Sequence, residues 1–247
     1  MARPAPDRDV AATVQKLRLR YAKRGRLRFS SHRDFQRALE RALRRAAIPM
    51  AYSAGFSPHP KVSYANSAPT GVASEAEYVE IGVAEACDPQ AVCVALDEAL
   101  PDGLDVVEVV EARTSDFANR LEASVWHVEL PGVSLEEARG AVDALLAAEE
   151  VLVDRMTKNG RRTFDARGAV ISAECAAGDT TGPDCAILTL VVRHGTPSVR
   201  PDDVLSALRR VADLVPPKPA RVTRLAQGPL DEAGTSVTDP FGPDRTG

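Results

Sequence analysis

"LRLRYAKRGRLRFSSHRDFQRALERALRRAAIP", residues 17–49, changes its hydrophobic period part-way along, and the reading of the fold works outward from that change. LRLRY (17–21) alternates apolar and basic residues, as a strand with one buried face does. A KRGR turn follows, and LRF (27–29) is expected to continue the extended chain. Beyond it Phe35, Ala38, Leu39, Ala42, Leu43 and Ala46 recur at three- and four-residue steps, which puts them on one face of a helix. Ser30 or Ser31 can cap its start, and Pro49 ends it because proline lacks the N–H that another turn requires.

From this strand and helix the order of elements extends in chain direction. KVSYA (61–65) and EYVEIGV (77–83) read as a strand pair, joined to the helix by YSAGFSPHP (52–60), where Gly55 permits a turn and Pro58 and Pro60 stiffen the backbone around His59. DPQAVCVALDEAL is a helix capped at Asp88 with Pro89 in its first turn, and LDVVEVVEA (104–112) is a closing strand. The order is β-α-β-β-α-β. The second half repeats it: VWHVEL (125–130), a helix opened by Ser134 with Glu137 three residues on, strands at 151–157 and 170–173 around a KNGRR turn, CAILTLVVR (185–193), a helix from RPDD, and ARVTRLAQG (220–228). The fold class expected is α+β: two tandem ferredoxin-like (β-α-β-β-α-β) sandwiches with antiparallel sheets. The first spans 16–113 and the second 124–228, between a flexible segment at 1–15 and a polar, turn-rich tail at 229–247 expected to be disordered.

Several pieces in fixed order resemble a known family: FSSHRD leading into the helix, RALRRA-x-IP leaving it, GF-x-PHPK, and a small-residue turn followed by S-x-x-EY. Residues 16–83 carry the likeness closely, and up to 228 it is one of architecture. The sequence is similar to the radical-SAM-linked domain of unknown function, which occurs alone and fused behind cobalamin-binding radical S-adenosylmethionine (radical SAM) proteins. That family has no established activity or catalytic residues to carry over. The C-x3-C-x2-C run that holds a radical SAM cluster is absent from this sequence, so the resemblance implies an accessory or recognition domain whose partner is a radical SAM protein.

Composition agrees with a globular chain. Of 247 residues, 44% are hydrophobic and 27% charged, and no stretch approaches the roughly 18 apolar residues of a membrane span. The first residues lack the apolar run of a secretory signal, so the expected location is cytoplasmic, with no membrane partner. Cys87, Cys93, Cys175 and Cys185 match neither zinc nor iron–sulfur spacings and read as reduced and structural; no cofactor and no metal is expected. No oligomeric state follows from the sequence.

A net charge of −4 hides a segregation of sign. Residues 16–66 hold 13 basic against 2 acidic residues, whereas 67–150 hold 3 against 19. At about 100° per residue, Arg33, Arg37, Arg41 and Arg44 share one arc of the helix, with Glu40 able to pair with Arg37 or Arg44. Two consequences are open. The stripe can meet phosphates, and RNA is then the expected partner, held by backbone contact rather than base stacking because aromatics are only 4% of the chain. Or the basic segment docks on the acidic one, within the chain or in a dimer. His32, beside two serines, and His59, between two prolines, are candidates for acid–base RNA cleavage. Their structural reading is that His32 bonds at the helix start and His59 fixes the loop. The binding set is Arg33, Arg37, Arg41, Arg44, His59 and Lys61, with KNGRR (158–162) as a second phosphate contact; without a recognisable catalytic motif, binding is expected rather than catalysis.

Overall fold

The structure is a computed structural model and describes residues 12–54, 56–158, 160–178 and 185–245. Gly55, whose turn-forming role the sequence suggested, and residues 1–11 of the supposed flexible segment lie outside that set. The chain is α+β and divides into two compact units, one of residues 1–118 with 241–247, the other of residues 119–240.

In the first unit, β1 (Gln15–Lys23) lies between β3 (Ala73–Val83) and β4 (Leu104–Glu111), and β2 (Val62–Ala65) pairs with β3 on its other side, all antiparallel. The strand order is therefore β4-β1-β3-β2. The alternation in LRLRY is realised: Leu17, Leu19 and Tyr21 enter one core with Phe35, Leu39 and Leu43 of α1 (His32–Arg45) and Val92 and Leu96 of α2 (Pro89–Ala99). Tyr21 and Phe35 stack with ring centroids 4.0 Å apart, which keys α1 to the sheet. LRF (27–29) is not extended. Gly25, at φ +52, turns the chain into a short 3-10 helix, Gly25–Phe29, a conformation that alternation alone cannot reveal.

The second unit has the strand order β10-β5-β9-β8, from β5 (Ala123–Pro131), β8 (Val170–Ala177), β9 (Cys185–Arg193) and β10 (Arg221–Gly228). Its helices are α4 (Leu135–Ala147) and α5 (Pro201–Ala212), and a one-turn helix α3 (Phe117–Arg120) straddles the boundary between units. The strand expected at 151–157 is not in this sheet: β6 (Leu152–Thr157) pairs only with β7 (Gly160–Asp165), as a separate hairpin inserted between α4 and β8.

The tail is a further departure from expectation. Residues 229–240 fold on the second unit, where Leu230 bridges Val237 and the Arg120 guanidinium donates to the Pro240 carbonyl at 3.1 Å. Residues 241–245 belong to the first: Phe241 is fully buried against Tyr78 and Phe117, followed by α6 (Gly242–Arg245). One phenylalanine and one aspartate supply the anchoring, too little to stand out from a polar composition.

Candidate basic interface on helix α1

Local chemistry sets where α1 begins. Ser31 is the N-cap: its Oγ accepts from the Asp34 N–H at 3.2 Å, and the Asp34 carboxylate accepts from the Ser31 N–H at 3.1 Å. The Ser31 hydroxyl also donates to that carboxylate, which with the charges of Arg37 and Arg33 holds the Asp34 carboxyl below the usual aspartate range. The other end closes on a left-handed residue, Ala47 at φ +50: the Ile48 N–H reaches the Leu43 carbonyl at 3.0 Å and the Ala47 N–H the Arg44 carbonyl at 3.2 Å. This doubles the chain back and lays Ile48 over Leu43.

The basic segment splits in two. The arginines of β1 are neutralised within their own unit, because strand register sets acids beside them: Arg18 faces Glu80 on β3 and Arg20 faces Glu108 on β4. Arg18 is 2% exposed, donates to Glu80 at 3.0 Å and to Asp244 at 2.5 Å, and Asp244 in turn accepts from the Thr114 N–H and hydroxyl. Arg24 is clamped by Glu75 and Asp105, and the Glu75 hydrogen bond, with Asp105 adding to it, pushes the guanidinium pKa further up. By contrast Arg33, Arg37, Arg41 and Arg44 are all exposed, and none forms an ion pair among the described residues. Glu40 does not pair with Arg37 or Arg44 as expected; it is half-buried and makes no hydrogen bond or ion pair among the described residues.

The loop after α1 is pinned at both margins. Tyr52 bridges Pro60, the Ser53 N–H donates to the His59 carbonyl at 2.8 Å, and the His59 N–H returns to Ser53 Oγ at 3.0 Å. The Ala51 N–H donates to the Gly82 carbonyl at 2.8 Å and the Gly82 N–H to the Lys61 carbonyl at 2.9 Å, which ties this loop to β3. Between the loop and the last turns of α1 lies a cleft of about 200 Å³, which brings together Glu40, Arg44, Tyr52 and His59 over Leu43, Ile48 and Met50. Lys61 lines no part of it; its ammonium donates to Thr13 Oγ1 at 2.8 Å.

His32 stands at the other end of α1, about 18 Å along the axis from Arg44 at 1.5 Å per residue. Its ring nitrogens meet Gln36 Nε2 at 3.0 Å and Ser67 Oγ at 3.2 Å, and its edge packs on Tyr64, 4.8 Å between centroids. His32 and His59 thus occupy opposite ends of the helix and form no common centre. Among the described residues no group of three or more His, Cys, Asp or Glu could hold a metal ion, and no helix is long and apolar enough to cross a membrane. His127 and His194 are remote from α1 in sequence and lie in the second unit, where the His194 ring bonds the Leu121 carbonyl at 2.5 Å and Ser124 Oγ at 2.7 Å. The four cysteines are free thiols, with Cys93 buried. In the basic hairpin, Arg161 is held by Asp154 at 2.5 Å while Lys158 and Arg162 are exposed. Sequence reasoning missed the cleft. Its one local signal was Gly-x-x-Pro-x-Pro after a helix stop, which promises a stiff loop but not what the loop encloses.

Comparison with known proteins comes to rest on one family. No match is found among curated proteins. Among solved structures the chain is similar to an unknown protein from Galdieria sulphuraria, at 16% identity, over 85% of this chain and 96% of that one, with a TM-score of 0.25. Residues 16–201 match a family described as uncharacterized proteins conserved in bacteria (DUF2344), and the chain belongs to that family.

Proposed function

We propose that this is a non-catalytic binding protein that holds RNA by its phosphates along the exposed face of α1, as an accessory to radical SAM or RNA-modifying machinery, and that each unit is a ferredoxin-like sandwich. One observation carries the RNA reading. Where the fold gives arginines acidic neighbours, as on β1, it neutralises them, yet Arg33, Arg37, Arg41 and Arg44 are left exposed without an ion pair among the described residues. Four fixed cations on about three turns of helix suit a polyanion with regularly spaced charges. The strand orders β4-β1-β3-β2 and β10-β5-β9-β8, each with two helices in β-α-β-β-α-β sequence, support the sandwich reading. The radical SAM association rests on the family resemblance.

Salt dependence provides the test. Replacing Arg37 and Arg41 together by glutamine is expected to weaken binding to single-stranded RNA and to lower the slope of log K against log salt by about 1.4, since each lost phosphate contact removes about 0.7. An unchanged slope overturns the proposal. Purification from cells separates it from protein docking without RNA: nuclease-sensitive nucleic acid supports the first, an iron–sulfur partner free of RNA the second.

A further inference from the structure

The cleft at the C-terminal end of α1 has the make-up of a site for one planar, hydrogen-bonding ring, and we infer that it takes a single unstacked guanine of the bound RNA. This deepens the RNA reading and rests on it. Size comes first: about 200 Å³ is below the roughly 300–1,000 Å³ of sites for drug-sized ligands, which leaves room for one base but not for a stacked pair. Leu43 and Met50 are buried and Ile48 half-buried, and all three line the cleft, which gives it an apolar patch for the face of a nucleobase. Tyr52, 41% exposed, and the exposed His59 offer rings at the margin, and their loop is fixed by the Tyr52–Pro60 bridge and by the Ser53–His59 bonds. Unstacked bases are held on such rings in sequence-specific RNA recognition.

The polar groups select the base. Glu40 is the acid of the stripe, and it lines the cleft without a hydrogen bond or ion pair among the described residues. A carboxylate only accepts. Guanine presents two adjacent donors on its Watson–Crick edge, N1–H and the 2-amino group, which match both oxygens of one carboxylate. Adenine and cytosine each present one amino group beside a ring acceptor that a carboxylate repels, and uracil presents one N–H between two carbonyl oxygens. Arg44, on the same cleft and in line with Arg33, Arg37 and Arg41, is placed for the phosphate of that nucleotide. The stripe then supplies affinity for any sequence, and the cleft supplies preference at one position.

The test uses the full chain and pentanucleotides of uridine carrying one central guanine, inosine, adenine or cytosine. Wild type is expected to favour guanine over adenine by about tenfold, with inosine, which lacks the 2-amino group, between them. Glu40→Gln is expected to erase the preference while leaving the salt slope unchanged, and Tyr52→Ala to weaken the guanine oligomer most. If all four oligomers bind alike, or Glu40→Gln keeps the preference, the guanine site is overturned and phosphate binding by the stripe stands. If no oligomer binds at any salt concentration, the RNA reading fails first and the guanine site with it.

Discussion

Arg18 and Arg37 show how one residue type acquires two fates. Arg18 lies under α6 with Glu80, Thr114 and Asp244 around its guanidinium, all within one unit. Removing it takes the guanidinium away from Asp244, itself 2% exposed, so Arg18→Ala is expected to cost about 3–5 kcal/mol in urea denaturation. Arg37 is exposed and unpaired among the described residues, and Arg37→Ala should change stability by less than about 0.5 kcal/mol. A stripe whose loss weakens binding but not folding is a functional surface; the contrast between these two variants measures that directly. The sequence pattern distinguishes them only as members of a strand and of a helix.

At the scale of elements, α1 is the part of the molecule most legible in advance. Its apolar period, serine cap and proline stop are all local chemistry, and the helix observed, His32–Arg45, begins one residue after the Ser31 cap. Its C-terminus carries an unforced weakness. Ala47 occupies a left-handed conformation that a β-carbon disfavours, so Ala47→Gly is expected to stabilise the protein by about 0.5–1 kcal/mol, read from the urea midpoint at unchanged slope. The same turn lays Ile48 over Leu43 in the lining of the cleft, so this variant also asks whether a looser turn costs guanine preference. The hairpin of β6 and β7 is legible only in half: a strand is expected at 151–157, but the first residues of β7 fall within the expected KNGRR turn, and nothing local says that the pair leaves the main sheet.

For the whole molecule, acid is the informative perturbation. Burial, opposed by the bond to the Leu121 carbonyl, lowers the His194 pKa below its ordinary 6.5, with the charge of Arg224 acting in the same direction. The unfolded chain therefore takes up this proton first, and stability should be full above pH 6.5 and fall as pH drops below it. A second decline is expected from about pH 3.8 toward 2: hydrogen bonds from Arg161 and Thr163 lower Asp154, and those from Ser236 and Thr235 lower Asp231, each to about 2. Chemical denaturation across pH, with His194→Gln flattening the first decline and leaving the second, checks both. The partial burial of His194 and its Ser124 contact arise from pairing across 70 residues, which no local pattern displays.

What the sequence by itself determined is what depends on neighbours along the chain: the two periodicities of residues 17–49, the caps and proline stop of α1, the arc of four arginines, and, apart from the β6–β7 hairpin and the shortest helices, the order of strands and helices. What only the tertiary structure decided depends on distant partners. Strand register, not composition, sets Glu80 and Glu108 against Arg18 and Arg20 and so leaves α1 as the exposed cationic face. Burial of Phe241 and Asp244 makes the end of the chain part of the first unit. The fold-back at Ala47 joins Glu40 and Arg44 to Tyr52 and His59 in one cleft. Charge and period are properties of a segment, whereas neutralisation and enclosure are properties of pairs that the chain brings together only when it folds.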